Sequence, residues 1–598
     1  MATIVEMSDG KGKPRIMVLA KGAPETMAGY FTSIPPHYEA TYKHFARQGA
    51  RVLALGWKPV EETIISKVRA TPRSEAEQGL TFAGLVVFHC PNKLESATSI
   101  KALKESGHHL VMITGDQILT ACHVARQLGM CSRPQSLILS KIGSSDFEWR
   151  SPDETVSVGF GGAGDATKLS KQYDLCLPGP VMSLLPPDVL DTFIEQIRVF
   201  ARVSPTQKEA VLLNLKLKGH YTLMCGDGTN DVGALKASHV GVALLATPGA
   251  VEETSSLEDA ATAAPVGGKT KGPKPPPTLK ELQRRLERDL AKDDAPIPRL
   301  GDASIASPFT SRQSSIYPTT RIIQQGRCTL VTTMEIYKIQ ALTCLTLAYC
   351  LSALYLDGVK LGDQQMMMSG LASAMFFLFM SHAKPLKTLA PRRPPATIRC
   401  MYMVFSIGGQ FAVHMMVLIR ALEITRPHIQ QGWVCSPEST NSTLAQEEGL
   451  TAPLCEGPCT ELGCNGCVAG TCISDRDPDA NFSPNILNSV VFLITTLTQV
   501  TTFAVNYKGK PYMMSLLEHK PLLYALIAAT ATLYLSALEM LPGLNAYLQL
   551  TPMPDDAFKF QVLGLMVVDL VGALVVEKVS GLLFYRSACT NATDKLLA

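Results

Sequence analysis

The chain has 598 residues, too many for one hydrophobic core, so several domains are expected. Hydrophobic residues make up 46% and charged residues 18%, with a mean hydropathy of +0.13, which excludes disorder as the main state and argues against a purely soluble protein. A net charge of +3, with no basic patch interleaved with aromatics, gives no support to a nucleic-acid partner.

Residues 1–245 read as water-soluble α/β. The opening residues lack an apolar core of signal-peptide length, so a later span would direct any membrane entry. Short apolar runs, RIMVLA (15–20), RVLAL (51–55), HLVMIT (109–114) and YTLMC (221–225), alternate with helical stretches such as ATSIKALKES (97–106) and TQKEAVLLNLKLKG (206–219). That alternation predicts a parallel, doubly wound sheet. Residues 246–300 are rich in Ala, Thr, Pro and Lys and read as a linker, with one charged surface helix over 279–294.

From residue 331 onward six apolar runs follow: 339–356, 366–380, 401–419, 486–505, 521–541 and 560–576. A span needs roughly 20 apolar residues, fewer where flanking side chains snorkel, so this half reads as a membrane domain of six spans in contact with lipid. The loop 384–399 carries Lys384, Lys387, Arg392, Arg393 and Arg399 and no acid, whereas 427–483 carries eight acids against Arg476. The positive-inside rule therefore puts the first loop in the cytosol and the second across the membrane, and an even span count returns the C-terminus to the side of the soluble half. Six of the 16 cysteines, Cys435, Cys455, Cys459, Cys464, Cys467 and Cys472, lie in the acidic loop. An even cluster on an oxidising side reads as disulfides, and the sequon at Asn441 supports that side; a weaker one stands at Asn481. The ligand spacing of Cys464 and Cys467 leaves a zinc knuckle as the alternative. Polar residues within the spans, Gln410, His414, Gln499, Glu539 and Asp569, are functional candidates by default, Glu539 being placed to snorkel at a span end and Asp569 mid-span.

Three motifs carry chemistry. CGDGTNDVGAL (225–235) follows an apolar strand, so a sharp Gly turn puts Asp227 and Asp231 at the carboxyl edge of a sheet, where such folds bind ligands. Two acids around Gly-Thr-Asn suit Mg²⁺ and the phosphate it bridges. HLVMITGD (109–116) ends another strand at Thr114, Gly115 and Asp116, a hydroxyl and backbone N–H groups apt to cradle phosphate; alone it reads equally as a helix cap. In FARVSPTQK (200–208), Lys208 can offset the charge of a transferring phosphoryl group, although a lone lysine there would be a solvated helix-start residue.

The order KGAPE (21–25), TGD, FARVSPTQK and GDGTND, followed by six spans, closely resembles the P-type ATPases over essentially the whole chain. CPNKLES (90–96), ASIASPFTSR (303–312), YLDGVKLGDQQ and KPLKTL narrow the resemblance to the type V, endoplasmic-reticulum (A) subgroup. The resemblance implies the C-terminal part of a nucleotide-binding domain (1–85), an α/β haloacid-dehalogenase-like phosphorylation domain (86–245), a linker (246–330) and an all-α six-span membrane domain (331–598) with a lumenal loop at 427–483. It implies ATP and Mg²⁺ as ligands, Lys21 and Gly22 at the adenine, Arg51 at the phosphates, and Arg202 as a nucleotide contact. Thr114, Gly115 and Asp116 would face the transferred phosphate, Lys208 would stabilise it, Asp227 would bind Mg²⁺, and Asn230 and Asp231 would complete the pocket. Gln117 stands where the family usually has Asn. The implied activity is translocation across the endoplasmic-reticulum membrane, with a transmembrane helix or a cation as substrate and the soluble half cytosolic.

Two departures qualify this. No Asp-Lys-Thr-Gly run occurs, so the aspartate that would take up phosphate is missing, and the sequence opens just before KGAPE; the chain reads as the C-terminal half of a pump, a fragment, isoform or truncated gene model. The Cys-rich loop is not a family feature. The alternatives are a non-catalytic half-pump that binds nucleotide or partners, and, ranked last, a haloacid-dehalogenase-like phosphatase on a membrane anchor, which would need a nucleophilic Asp of its own.

Overall fold

The computed structural model describes residues 1–8, 14–60, 72–143, 146–245, 307–311, 313–431, 482 and 484–585. The linker 246–300 with its helix over 279–294, the six loop cysteines, Asn441 and Asn481 lie outside the described residues. The chain divides into two compact units, Met1–Arg321 and Ile322–Ala598.

The first unit opens with an antiparallel sheet of β1 (Ala2–Ser8), β2 (Pro14–Gly22), β3 (Arg51–Pro59) and β4 (Thr81–Phe88), in that order. RIMVLA and RVLAL therefore do not join a parallel sheet, as their apolar character suggested; Lys21 pairs with Leu55 in antiparallel register. The physical reason is visible along β3, where Val52, Ala54 and Gly56 are buried and their neighbours are not. Such period-2 burial marks a sheet with one covered face, whereas a doubly wound sheet buries both. The covered face packs Val18, Ala20, Val52 and Ala54 against Tyr38 and Tyr42 of helix α1 (Tyr38–Arg47).

Helix α2 (Leu94–Glu105) follows, then a six-stranded sheet built from β5 (Met112–Ile113), β6 (Ser136–Ile142), β7 (Asp146–Arg150), β8 (Ser157–Gly159), β9 (Asp174–Pro178) and β10 (Ile197–Ala201), with α3 (Ile118–Gln127) after β5. The strand order is β5-β10-β9-β6-β7-β8. The pairs β5/β10, β10/β9 and β9/β6 are parallel, and β7 and β8 close one edge as an antiparallel meander. Here both faces are covered. Leu175, Leu177 and Phe200 enter a core with Trp149 and Phe193, while Cys176, Val199 and Ala201 enter another with Leu119 and Ala125 of α3. Of HLVMIT only Met112 and Ile113 pair as a strand.

Helix α4 (Pro205–Leu217) leads to a third, parallel sheet of β11 (Leu223–Gly226), β12 (Val240–Leu244) and β13 (Phe309–Ser311), with α5 (Val232–Ala237) between its first two strands. The strand before GDGTND is thus hydrogen-bonded into a different sheet from the strand before TGD. Ile113 packs against the cores of both.

The second unit is helical: α6 (Tyr317–Leu356), α7 (Asp363–Ser381), α8 (Met401–Gln431), α9 (Ile486–Asn506), α10 (Lys520–Ala537) and α11 (Asp556–Ser580). Each apolar run of the sequence falls on one of them, except that the last four residues of 521–541 lie past the end of α10. Four, α6, α8, α9 and α10, are long and apolar enough to cross a membrane by length and composition. Helix α9 is the centre: 89% of its apolar window is buried, against 28–39% in the other three. Glu539 lies past the end of α10, where its carboxylate accepts from Met553 N at 2.7 Å and pairs with Lys559 at 3.1 Å.

Candidate phosphoryl-transfer site

Lys208 owes its position to the start of α4. Ser204 caps the helix by accepting from Gln207 N, Gln207 Oε1 accepts from Ser204 N at 2.9 Å, and Pro205 takes the first helical position, where no N–H is needed. The Gln207 amide also donates to Gly179 O at 2.9 Å and Ser183 Oγ at 2.8 Å, anchoring the cap to the turn after β9. Lys208 thereby leaves the first turn inward, and its ammonium donates to Asp231 Oδ1 at 2.7 Å, both residues being buried. A buried ion pair this close needs its remaining lone pairs met, and Asp231 Oδ2 accepts from Gly228 N at 3.3 Å. Gly226 makes room for that carboxylate: a Cβ there would stand 2.7 Å from Asp231.

Asp227 and Asn230 occupy the other side of the same turn. Both are exposed, and neither side chain has a hydrogen bond or ion pair among the described residues. One loop therefore offers a carboxylate neutralised by Lys208 and a second one free to take a cation. No three His, Cys, Asp or Glu side chains gather as a metal centre among the described residues. Mg²⁺ asks for less, since it is held by one or two carboxylates together with phosphate oxygens and water. The Asp227 donor set fits that demand.

The TGD turn is stitched to the segment before α4. Thr114 N donates to Phe200 O at 2.9 Å, Arg202 N to Asp116 O at 3.0 Å, and Val203 N to Thr114 O at 3.2 Å. Thr114 Oγ1 accepts from Asp116 N at 3.1 Å, closing the turn on itself. Gly115 is exposed at its tip. Thr114 and Asp116 have no direct bond to Lys208 or Asp231 among the described residues; Ala201–Ser204 connects the two halves.

Arg51 and Arg202 link this region to the antiparallel sheet. Arg51 Nη2 lies 3.6 Å from Asp116 Oδ1, and Arg202 Nη2 lies 3.1 Å from Glu25 Oε2. Arg202 holds a left-handed backbone at φ +54°, a sparsely populated conformation for a residue other than glycine. Glu25 belongs to KGAPE but had no role in the sequence reading. The turn that carries it is held by the Tyr38 hydroxyl, which donates to Pro24 O at 2.8 Å; burial pushes that phenol up to about 12, so it remains a donor. Lys21 and Gly22 end β2, with Lys21 exposed. No hydrogen bond or ion pair among the described residues joins them to TGD or GDGTND.

No protein-family profile matches the chain. It is 41% identical over 570 residues to a protein of Arabidopsis thaliana named as a probable manganese-transporting ATPase, covering 90% of this chain and 45% of the relative. It is 35% identical over 638 residues to the endoplasmic reticulum transmembrane helix translocase of Saccharomyces cerevisiae, covering 94% and 49%. A human polyamine-transporting ATPase is 26% identical over 597 residues, covering 96% and 42%. The chain spans about half the length of the curated relatives it matches.

Proposed function

Because the chain belongs to the type V P-type ATPases, we propose that it carries one half of an ATP-driven translocase site in the endoplasmic-reticulum membrane. The observation that carries the reading is the Lys208–Asp231 pair set in one Gly-rich turn beside Asp227, which has no partner among the described residues. In this reading Asp227 holds Mg²⁺, which when bound offsets phosphate charge. Lys208, fixed by its capping box and by Asp231, presents its ammonium to the transferring phosphoryl group. Thr114 and the backbone of Gly115 and Asp116 bind the phosphate oxygens, and Asn230 orients them. Arg51 and Arg202 exchange Asp116 and Glu25 for nucleotide phosphates, while Lys21 and Gly22 line the base.

The second unit then serves as a six-span transport domain. Beyond the four long apolar helices, α7 exposes Met366, Met367, Leu371 and Leu378, and α11 exposes Phe560, Val567, Val571 and Leu574, faces suited to lipid. The relatives' names support a transmembrane helix or a cation as substrate. Since no Asp-Lys-Thr-Gly run occurs in the sequence, a second reading stands beside the first: this chain binds nucleotide without accepting phosphate.

The test is phosphoenzyme formation from labelled ATP and Mg²⁺, read on an acidic gel. The chain alone should give no acid-stable band. Fused behind the upstream half of the Arabidopsis relative, it should give one that hydroxylamine removes, and Asp227→Ala should lower that band at least about tenfold. A hydroxylamine-sensitive band from the chain alone would overturn the assignment, and a fusion that stays unlabelled would favour the second reading.

A further inference from the structure

The second unit holds polar groups that the transport reading leaves without a role. Along α8, Tyr402, Ser406, Gln410 and His414 recur every fourth residue, so they share one face, and all four are buried. Asp569 and Glu577, about two turns apart on α11, are buried against that face. Glycines let the two helices approach: a Cβ on Gly409 would stand 2.7 Å from Val576, and one on Gly572 would stand 2.7 Å from Val413.

The two acids are treated differently. Glu577 is saturated, accepting from Lys338 Nζ at 2.5 Å, Tyr402 Oη at 2.5 Å, Ser406 Oγ and Gln410 Nε2 at 3.2 Å, with Lys508 Nζ at 3.4 Å. Among the described residues Asp569 has one hydrogen-bond partner, His414, whose Nδ1 lies 2.6 Å from Oδ1, and both residues are 0% exposed. His414 Nε2 and Asp569 Oδ2 are buried with no hydrogen-bond partner among the described residues.

Among the described residues no fixed charge is paired with His414 or Asp569 beyond their own contact. Helix α9 contains no Asp, Glu, Lys or Arg. Helix α10 brings Tyr534 toward Asp569, and its one charged residue, Lys520, stands at its first turn. The remaining charges of α8 are spoken for, Arg420 by Glu423 and Arg426 by Asp357. On α11, Lys559 pairs with Glu539 and Asp556, and Glu577 with Lys338 and Lys508; Lys578 follows Glu577 in the last turn. The turn after α11 contributes Tyr585, whose ring lies under Lys508. A carboxylate without a proton in its pair would leave a net negative charge in apolar surroundings, whereas one proton between His414 and Asp569 makes the pair neutral.

We propose that His414 and Asp569 form a proton-binding site inside the membrane unit. One proton is taken from water onto the His414–Asp569 pair and returned to water on release, with no other bond made or broken. A divalent cation fits less well, since it would have to break the 2.6 Å contact and no third His, Cys, Asp or Glu gathers there among the described residues. The Glu577 cluster contacts the same face of α8, through Tyr402, Ser406 and Gln410, that carries His414. The inference goes beyond the transport reading and does not depend on it, because its readout is proton binding and not ATP turnover.

Infrared difference spectra of the purified full chain in lipid, stepped between about pH 5 and 8, test it. The chain should show a reversible carboxyl or imidazole band change of one group. Asp569→Asn should remove it, and His414→Gln should move its midpoint by about one pH unit or more. Should Asp569→Asn not fold, Asp569→Glu keeps a carboxyl and should displace the band. Identical spectra for the parent and folded variants would overturn the proposal. So would a band unmoved by Asp569→Glu, or the same difference spectrum raised at constant pH by Mn²⁺.

Discussion

Lys208 and Asp231 show how a lysine and a carboxylate can be held together in a protein interior. Each side chain is 10% exposed, so each offsets the cost of burying the other. Lys208→Ala should therefore destabilise the chain by about 3–5 kcal/mol, because Asp231 is left buried without its partner. Replacing both, with Lys208→Met and Asp231→Leu, should recover most of that loss, since an apolar pair of similar volume needs no compensation. Thermal unfolding of the purified chain in detergent measures both. If the double variant lost as much as Lys208→Ala or more, the pair would not be the coupled unit described here. Asp227 differs in kind. It is exposed and bonded to nothing among the described residues.

At the scale of elements, what holds Lys208 in place is the seam between the turn after β9 and the cap of α4. Gly179 lies at that seam, where an added Cβ would stand 2.2 Å from the backbone carbonyl oxygen of Arg202. Backbone cannot swing aside as a side chain can, so Gly179→Ala should cost about 1–3 kcal/mol. Gly164→Ala, in the short helix Ala163–Leu169 with open space around it, should be neutral or slightly stabilising in the same unfolding experiment. A second seam joins α1 to the turn between β7 and β8, where Lys43 and Arg47 meet Glu154 at 3.2 and 3.3 Å. Lys43 holds the Glu154 carboxyl below its ordinary range, so its contribution is present above the unfolded value and lost as pH falls through the folded one. The pair is half exposed and worth under about 1 kcal/mol. The stability gap between the chain and Glu154→Gln should be small at neutral pH and vanish in acid; a gap that widened in acid would contradict it. The helices and the GDGTND turn were legible because caps, Pro205 and glycines are local signals. Strand pairing was not: RIMVLA and the strand before TGD look alike in composition, and only the alternation of burial along β3 separates an antiparallel sheet from a doubly wound one.

For the whole molecule, the same limit appears in the membrane unit. Gln410, His414 and Asp569 stood out as polar residues inside apolar runs, but Glu577, Lys338 and Lys508 did not. Glu577 directly follows the last run and reads as a flanking charge, although it is buried and bonded to donors from α6, from α8 and from the segment after α9. Which helices span decides the topology, and the counts of four and six predict opposite outcomes for one residue. If only α6, α8, α9 and α10 crossed, two crossings before residue 432 would leave Asn441 on the side of the first unit. If α7 crosses as well, three crossings precede it and Asn441 stands across the membrane. With α11 also crossing, the C-terminus returns to the side of the first unit, so the acceptor sequence at Asn591 is an internal control that stays bare in both cases. Synthesis in the presence of microsomes should therefore add a glycan that Asn441→Gln removes and Asn591→Gln leaves unchanged. An unglycosylated loop cut by protease from the cytosolic face would remove α7 from the spans, and with it the placement of the six cysteines on the oxidising side.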